Sequence, residues 1–414
     1  MKFTKNNVGW MFYDFANSAF TTVIVSVVYN TFFISHVVGN AEGRGDSLWG
    51  LAVGLSMTLV ALTAPFFGAM ADYSRIKKRF LFFFTYLTVV STSMLWFVRQ
   101  GDILLGMVLF IVANYSFNSA NVFYDAFLPE VAEPKDIGKV SGFGWGLGYL
   151  GGLVSLLVSF ALVKNYIQWV FPMIGLHVLL FSLITFFLLK EQRTKVARQN
   201  YLKIAIGRIA TTVGHIKTMP NLLKYLLSYF FYNDGIYTVI VFAAPFGSNR
   251  FAMSQQDIIT FFIIAQFTSL LGAVVFGWLT DRVNVKTSLS ISLMVWLGVI
   301  VWAFFCSSST EYYFVGLAAG LAIGSSQANS RTMMSQLTPI SKQAEFFGFY
   351  TLIGRLSSIA GPILYGWIAQ ATGNLRLSIL SLLIFFVVGW VILQLVNLPQ
   401  GMAQASLSTG GKPS

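Results

Sequence analysis

The sequence has almost no cysteine and very little charge. A lone Cys306 in 414 residues excludes an intrachain disulfide framework and any cysteine-cluster metal site. Three scattered histidines (His36, His177 and His215) make no HExxH or similar zinc spacing. Asp, Glu, Lys and Arg make up 10% of the chain, against roughly a quarter in ordinary soluble domains. There is no Gly-x-x-x-x-Gly-Lys-Ser/Thr phosphate loop and no nucleophile–base–orienter set, so neither an enzyme nor a bound cofactor is expected. What fills the chain is apolar: 56% hydrophobic residues, 40 Phe and 10 Trp, with a mean hydropathy of +0.70. That leaves too little polar surface to cover a water-soluble fold of this length, and it is the opposite of a disordered composition. The chain reads as an all-α, polytopic membrane protein.

The net charge of +12 does not imply nucleic acid, because the basic residues sit between apolar runs and not along one helix face. A bilayer core needs about 20 apolar residues of helix. Twelve stretches qualify, near 8–35, 48–71, 80–98, 102–126, 139–163 and 167–189, then 221–246, 256–279, 286–306, 312–335, 346–369 and 375–397. The first is too long for a cleaved signal and has no small-residue cleavage site after it. Twenty Lys and Arg fall in the loops on one side, and five (Arg44, Arg99, Lys164, Arg250 and Arg376) on the other. The positive-inside rule then puts both termini in the cytoplasm, and a bacterial inner membrane is the expected location.

The longest connection divides the chain into bundles at 1–189 and 221–398. The linker, 190–220, has Leu202, Ile206, Ile209, Val213 and Ile216 at helical spacing, the pattern of an interfacial amphipathic helix. The tail, 399–414, reads as disordered. The two bundles repeat one another. Gly68-x-x-x-Asp72 and Gly277-x-x-x-Asp281 are 209 apart, Pro129 and Pro339 are 210 apart, and Gly142-Phe143 and Gly348-Phe349 are 206 apart. Asn17 with Thr22-Val23-Ile24-Val25 matches Asn233 with Thr238-Val239-Ile240-Val241 at 216. A six-plus-six duplication suits a transporter whose substrate site lies between the halves.

The loop from Gly68 through Asp72 to Lys77, Lys78 and Arg79 resembles the cytoplasmic signature of the major facilitator superfamily, with Gly277, Asp281 and Arg282 as a second copy. Tyr73 and Arg75 depart from that pattern. Three further segments resemble the vacuolar amino-acid effluxer family, related to autophagy proteins, and its bacterial members. They are Tyr13-Asp14-Phe15-Ala16-Asn17-Ser18-Ala19-Phe20, Val122-Phe123-Tyr124-Asp125-Ala126-Phe127-Leu128-Pro129-Glu130 and the glycine-rich stretch Ser141 to Gly152. The resemblance implies passage of amino acids or similar small zwitterions by alternating access. Cation-coupled sugar symport, and a transporter-like sensor or lipid-handling protein, stay open as alternatives. The partners expected are a small-molecule substrate, lipid, and protons or a monovalent cation, for a chain acting as a monomer.

Five charged side chains fall inside apolar runs: Asp14, Asp125, Asp234, Arg331 and Arg355. Facing lipid, at roughly 2.5–3.5 kcal/mol each, they would cost on the order of 12–18 kcal/mol, so they should face one another or a wet cavity. Asn114, Asn118, Asn121 and Asp125 form one polar stripe at i, i+4, i+7 and i+11. With Asn17, Tyr124, Asn233, Gln266 and Arg355, the three asparagines are the substrate-binding candidates; interhelical packing is the alternative for the stripe. For coupling, Asp125 is expected to pair with Arg331, and Asp234 with Arg355. That leaves Asp14 as the acid without a partner and the proton-coupling candidate. Gly68, Asp72, Lys77, Lys78, Gly277, Asp281 and Arg282 are the gating candidates, the glycines through close helix approach and the charges by joining the halves. His177 reads as a packing residue, and the span-five glycines as a crossing or a bend.

Overall fold

The structure, a computed structural model, describes residues 4–73, 77–131, 137–191, 206–207, 210–211, 214–339 and 343–407, and among these there is no strand. Helix α1, Lys5–Ala19, starts at a reciprocal cap in which Thr4 Oγ1 accepts from Asn7 N–H at 3.2 Å and Asn7 Oδ1 accepts from Thr4 N–H at 2.7 Å. It continues as wider turns over Phe20–Val27 and Phe32–Val38, where backbone bonds reach five residues back, such as Val28 N–H to Val23 O at 2.7 Å. A β-branched run from Thr21 to Val28, broken only by Ser26, crowds that turn. Such widened turns concentrate at functional sites.

Helices α2 (Arg44–Tyr73), α3 (Lys77–Met94), α4 (Ile103–Asp125) and α5 (Ile137–Leu188) follow. Then come α6 (Pro220–Phe251), α7 (Gln255–Arg282), α8 (Val285–Phe305) and α9 (Ser309–Leu337). The chain ends with α10 (Gln343–Leu356), α11 (Ala360–Thr372), α12 (Leu375–Ser381), α13 (Leu383–Gln394) and α14 (Leu398–Leu407). Among the described residues, 10 helical stretches are long and apolar enough to cross a bilayer. One of them, Phe143–Leu188, holds two of the expected spans, because Tyr166 (φ −138°, ψ 40°) leaves helical geometry and breaks α5. Helix α9 has 29 residues, long enough to cross, but its Gly324-Ser325-Ser326-Gln327-Ala328-Asn329-Ser330-Arg331 stretch makes it more polar. The arrangement is consistent with twelve spans. Large apolar side chains point outward, Leu62 at 74%, Leu104 at 77% and Phe187 at 80% exposure. That inversion of a soluble fold is stable where the solvent is hydrocarbon.

The chain forms two compact units, Met1–Ile206 with Ala243–Ile259, and Gly207–Phe242 with Thr260–Ser414. The α6–α7 turn thus lodges with the first unit, unlike the expected division at 189 and 221. Ser35 Oγ donates to Asn249 Oδ1 at 3.1 Å, and Gln255 Nε2 donates to Thr31 Oγ1. In the first unit, α1 and α5 cross along Gly144, Gly148 and Gly151. A Cβ on Gly148 would lie 2.8 Å from Ser18 Oγ, and one on Gly151 would run into the Phe15 carbonyl. These span-five glycines therefore serve close packing.

Matching joints close each unit at the end that carries the basic loops. Lys78 Nζ donates to Leu189 O at 2.6 Å, and Lys286 Nζ donates to Gln394 O at 2.9 Å and Val396 O at 2.7 Å. Asn6 Oδ1 accepts from Lys190 N–H at 3.0 Å, as Asn221 Oδ1 accepts from Asn397 N–H at 2.9 Å. In each case orphan groups past a helix C-terminus are satisfied by a side chain 108–184 residues away. Repeat-related positions make the same joint twice.

Two expectations need correction. The tail is helical to Leu407: α14 buries Leu398 and Ala405, and Asn221 Nδ2 donates to Gln400 Oε1 at 3.3 Å. Buried apolar side chains and a polar tie order a segment whose small residues alone suggest a loose tail; 408–414 lie outside the described residues. Gly68 and Gly277 do not serve close helix approach here, because a Cβ on either would meet open space. Most of the 190–220 linker lies outside the described residues; 206–207, 210–211 and 214–217 are helical.

Candidate functional site

One polar face of the first unit is built from α1 and α4. Tyr124, near the end of α4, is stacked on Trp10 at 4.5 Å and on Tyr13 at 4.8 Å between ring centroids. Trp10 Nε1 donates to Tyr124 O at 3.0 Å, and the Tyr13 hydroxyl meets Thr85 Oγ1 on α3 at 2.8 Å. So fixed, Tyr124 donates its hydroxyl to Asp14 Oδ2 at 2.8 Å. One turn further along α1, Asn17 Nδ2 donates to Asn121 Oδ1 at 3.0 Å. Two rungs, Asp14–Tyr124 and Asn17–Asn121, therefore join α1 and α4, with Asp14, Asn118 and Asn121 left half-buried beside fully buried neighbours. A carboxylate and amides on one such face suit an ammonium and hydrogen-bonding groups on a small polar ligand.

The polar stripe on α4 divides between two roles. Asn114 is buried and donates to Ser56 Oγ on α2 at 2.7 Å, so it is a helix–helix joint and not a cavity residue. Asn118 Nδ2 folds back to Asn114 O at 2.9 Å. Asp125, the last residue of α4, is exposed, as is Arg331 on α9. Asp125 acts electrostatically on the Tyr13 and Tyr124 hydroxyls, and Arg331 on Tyr229 and Tyr350. Asp14 is corrected: it has a partner in Tyr124.

The second unit has its own polar joint, where span eleven breaks between α10 and α11. Asn233 Nδ2 donates to Ser357 Oγ at 2.7 Å and to Gly354 O at 3.3 Å, on the α10 side of the break. The adjacent Asp234 is fully buried, and its Oδ1 accepts from Gly361 N–H at 2.9 Å in the first turn of α11. What holds Asp234 is thus a helix N-terminus, where the sequence suggested Arg355. Arg355 is buried on α10 at 8% exposure, and Gln266 is half-buried on α7. His177 packs as expected, with Nε2 3.2 Å from Phe15 O and its ring on Phe15 and Phe181.

The gating candidates are engaged locally. Lys77 pairs with Glu130, reaches Ala126 O at 3.4 Å and lies over the Phe127 ring, all within the first unit, while Arg282 stacks on Trp278 at 3.7 Å. Glu191 accepts from Lys77 N–H at 2.9 Å and caps α3. Burial pushes the Glu191 carboxyl above the usual carboxylate range, against the opposing pull of the Lys77 and Lys78 N–H groups. The side chains of Asp72 and Asp281 lie outside the described residues. Sequence reasoning missed Trp10, Thr85, Ser357 and Gly361; only the i, i+4 spacing of Trp10 and Asp14 signalled any of them.

Residues 35–406 match the protein family described as vacuole effluxer Atg22 like. A Bacillus subtilis (strain 168) protein named as an uncharacterized MFS-type transporter, YxiO, is 31% identical over 412 residues, 95% of each chain. Autophagy-related protein 22 of Kluyveromyces lactis is 26% identical over 373 residues, covering 80% of this chain and 75% of that one. Among solved structures, a bacterial homolog of the human lysosomal transporter Spinster, in an inward-facing and unoccupied conformation, aligns with TM-score 0.69 at 14% identity over 97% of both chains. The nucleoside transporter NupG aligns with TM-score 0.67 at 12% identity over 96% of this chain and 99% of that one. At such identities the two structures share the fold alone, that of major facilitator transporters.

Proposed function

Because this chain belongs to the Atg22-like vacuole effluxer family, a family of membrane transporters, we propose that it moves amino acids or similar small zwitterions by alternating access, linked to protons. The observation that carries the reading is the pair of rungs joining α1 and α4, Asp14–Tyr124 and Asn17–Asn121. A zwitterion presents an ammonium and a carboxylate a few ångströms apart. It needs an acceptor with negative charge beside uncharged donors, and Asp14 with the Asn17 and Asn121 amides supplies that set on one face. A sugar would need hydroxyl-matching amides but no carboxylate. Arg355 is a buried cation of the second unit. Transport runs through a monomer in a bacterial inner membrane with both termini cytoplasmic.

A thermal-shift screen of the purified full chain over amino acids, sugars, nucleosides and lysolipids tests the substrate class. A ligand at a hundred times its Kd stabilises the native state by about 2.7 kcal/mol, enough to raise the transition visibly. Amino acids are expected to give the shift, and Asn17→Ala to reduce it by about half at the same ligand concentration. A sugar or lipid shift with none from any amino acid sinks the proposal.

A further inference from the structure

The second unit holds an acid that the α1–α4 face does not use. Asp234 is 0% exposed, and its Oδ1 accepts from the backbone N–H of Gly361 at 2.9 Å at the start of the 13-residue helix α11. Its Oδ2 is buried and has no hydrogen-bond partner among the described residues. Glycine at 361 makes this contact possible: a Cβ there would lie 2.6 Å from Asp234 Oδ1 and would strike Thr238 Oγ1. On the other side, a Cβ on Gly235 would lie 2.8 Å from the Phe386 ring, so α13 seals the joint with an aromatic face.

Two forces oppose one another on this carboxyl. The α11 N-terminus, with the Gly361 N–H on Oδ1, favours the charged form. Burial, and an Oδ2 with no hydrogen-bond partner among the described residues, favour the neutral one. The ionisable groups on the elements around it are Lys224, Tyr225, Tyr229, Tyr232, Tyr237 and Arg250 on its own helix, Glu345, Tyr350 and Arg355 on α10 and Tyr365 on α11; α13 carries none. A metal cation is a poor occupant, because Oδ1 already accepts an N–H at the positive end of a helix, where a hard cation requires a set of oxygen ligands. A proton needs only the carboxyl itself.

We propose that Asp234 is a proton-binding site whose ionisation decides whether α11 is held at the break in span eleven. This rests on the proton-linked transport reading and gives it a residue. When charged, Asp234 grips the first turn of α11 while Asn233, its neighbour in sequence, grips Gly354 and Ser357 at the end of α10. Consecutive residues thus hold the two sides of one helix break. Protonation weakens Oδ1 as an acceptor, frees the α11 N-terminus and leaves the Asn233 clasp in place. Span eleven then has a hinge that a proton operates.

Infrared difference spectroscopy of the full chain in lipid nanodiscs, titrated with protons and no substrate, reads this directly. The parent protein should show a protonated-carboxyl C=O band that appears as pH falls, and Asp234→Asn should lose it while Asp14→Asn keeps it. Gly361→Ala crowds the contact without removing the acid, so it should keep the band at a pH displaced by about one unit, a tenfold change in proton affinity. That variant carries the test should Asp234→Asn fail to fold. A band that survives in Asp234→Asn, a band unmoved in Gly361→Ala, or a band displaced by sodium at fixed pH overturns the proposal. No substrate enters the measurement, so an Asp234 band in a protein that moves no amino acid would refute the transport reading and leave the proton site standing.

Discussion

At the scale of single residues, Tyr124 is the point on which the first-unit site turns. Its ring is clamped between Trp10 and Tyr13, and its hydroxyl meets Asp14. Polar pairs between helices in lipid are worth about 0.6 kcal/mol on average and up to about 1.7. A double-mutant cycle of Tyr124→Phe with Asp14→Asn, read by thermal or denaturant unfolding in detergent, should give a coupling within that range. Additive single effects would mean that the contact does not hold the two helices together. Much of this residue set was legible in the sequence, since Asp14, Asn17, Asn121 and Tyr124 all stand out as polar groups in apolar runs. Their partners were not, because hydropathy gives depth but not helix rotation. Asn114 and Asn121 lie two turns apart on one stripe, yet one is a buried strut to Ser56 and the other reaches Asn17. Asp125 and Asp234 look alike in sequence, and only the packed helices separate an exposed helix end from a sealed interior.

Among the elements, the helices and most of their ends followed from run length. The break in α5 at Tyr166 falls where the reading of spans at 139–163 and 167–189 put it. The break between α10 and α11 was not read, although Gly361 and Pro362 in the first turn of α11 mark a helix start, because the surrounding run stays apolar enough to pass for one span. Nor was the cap that Glu191 provides, since Glu191 and Lys77 are 114 residues apart. That cap has a pH signature. Burial raises the Glu191 carboxyl above its ordinary value, so the folded state binds this proton more tightly than the unfolded chain. The resulting stabilisation is complete below the unfolded pKa and is lost as pH rises through the folded one. Glu191→Gln stays neutral throughout. Measured at a series of pH values upward from the ordinary carboxylate range, the unfolding temperature of the parent should fall relative to Glu191→Gln. A difference that is constant with pH, or of opposite slope, would show that Glu191 does not titrate on unfolding.

For the whole molecule, composition fixed the solvent and the repeat fixed the plan. The duplicated joints, Lys78 on Leu189 and Lys286 on Gln394 and Val396, are the sequence repeat expressed as structure. The repeat fails at two acids: Asp14 has Phe230 as its counterpart, and Asp234 has Ser18. Each unit therefore carries one acid that the other lacks, the first on a half-buried face and the second at a sealed helix break. In the proposed mechanism, the first carboxyl meets solute and the second meets protons. The most direct test is counterflow in proteoliposomes loaded with an unlabelled amino-acid mixture and supplied with labelled amino acids outside. The account predicts saturable accumulation of label by the parent protein and a fall of about tenfold in Asn17→Ala, the effect of losing a contact of about 1.4 kcal/mol. Equal accumulation in protein-free vesicles, or an Asn17→Ala variant that transports like the parent, would contradict it.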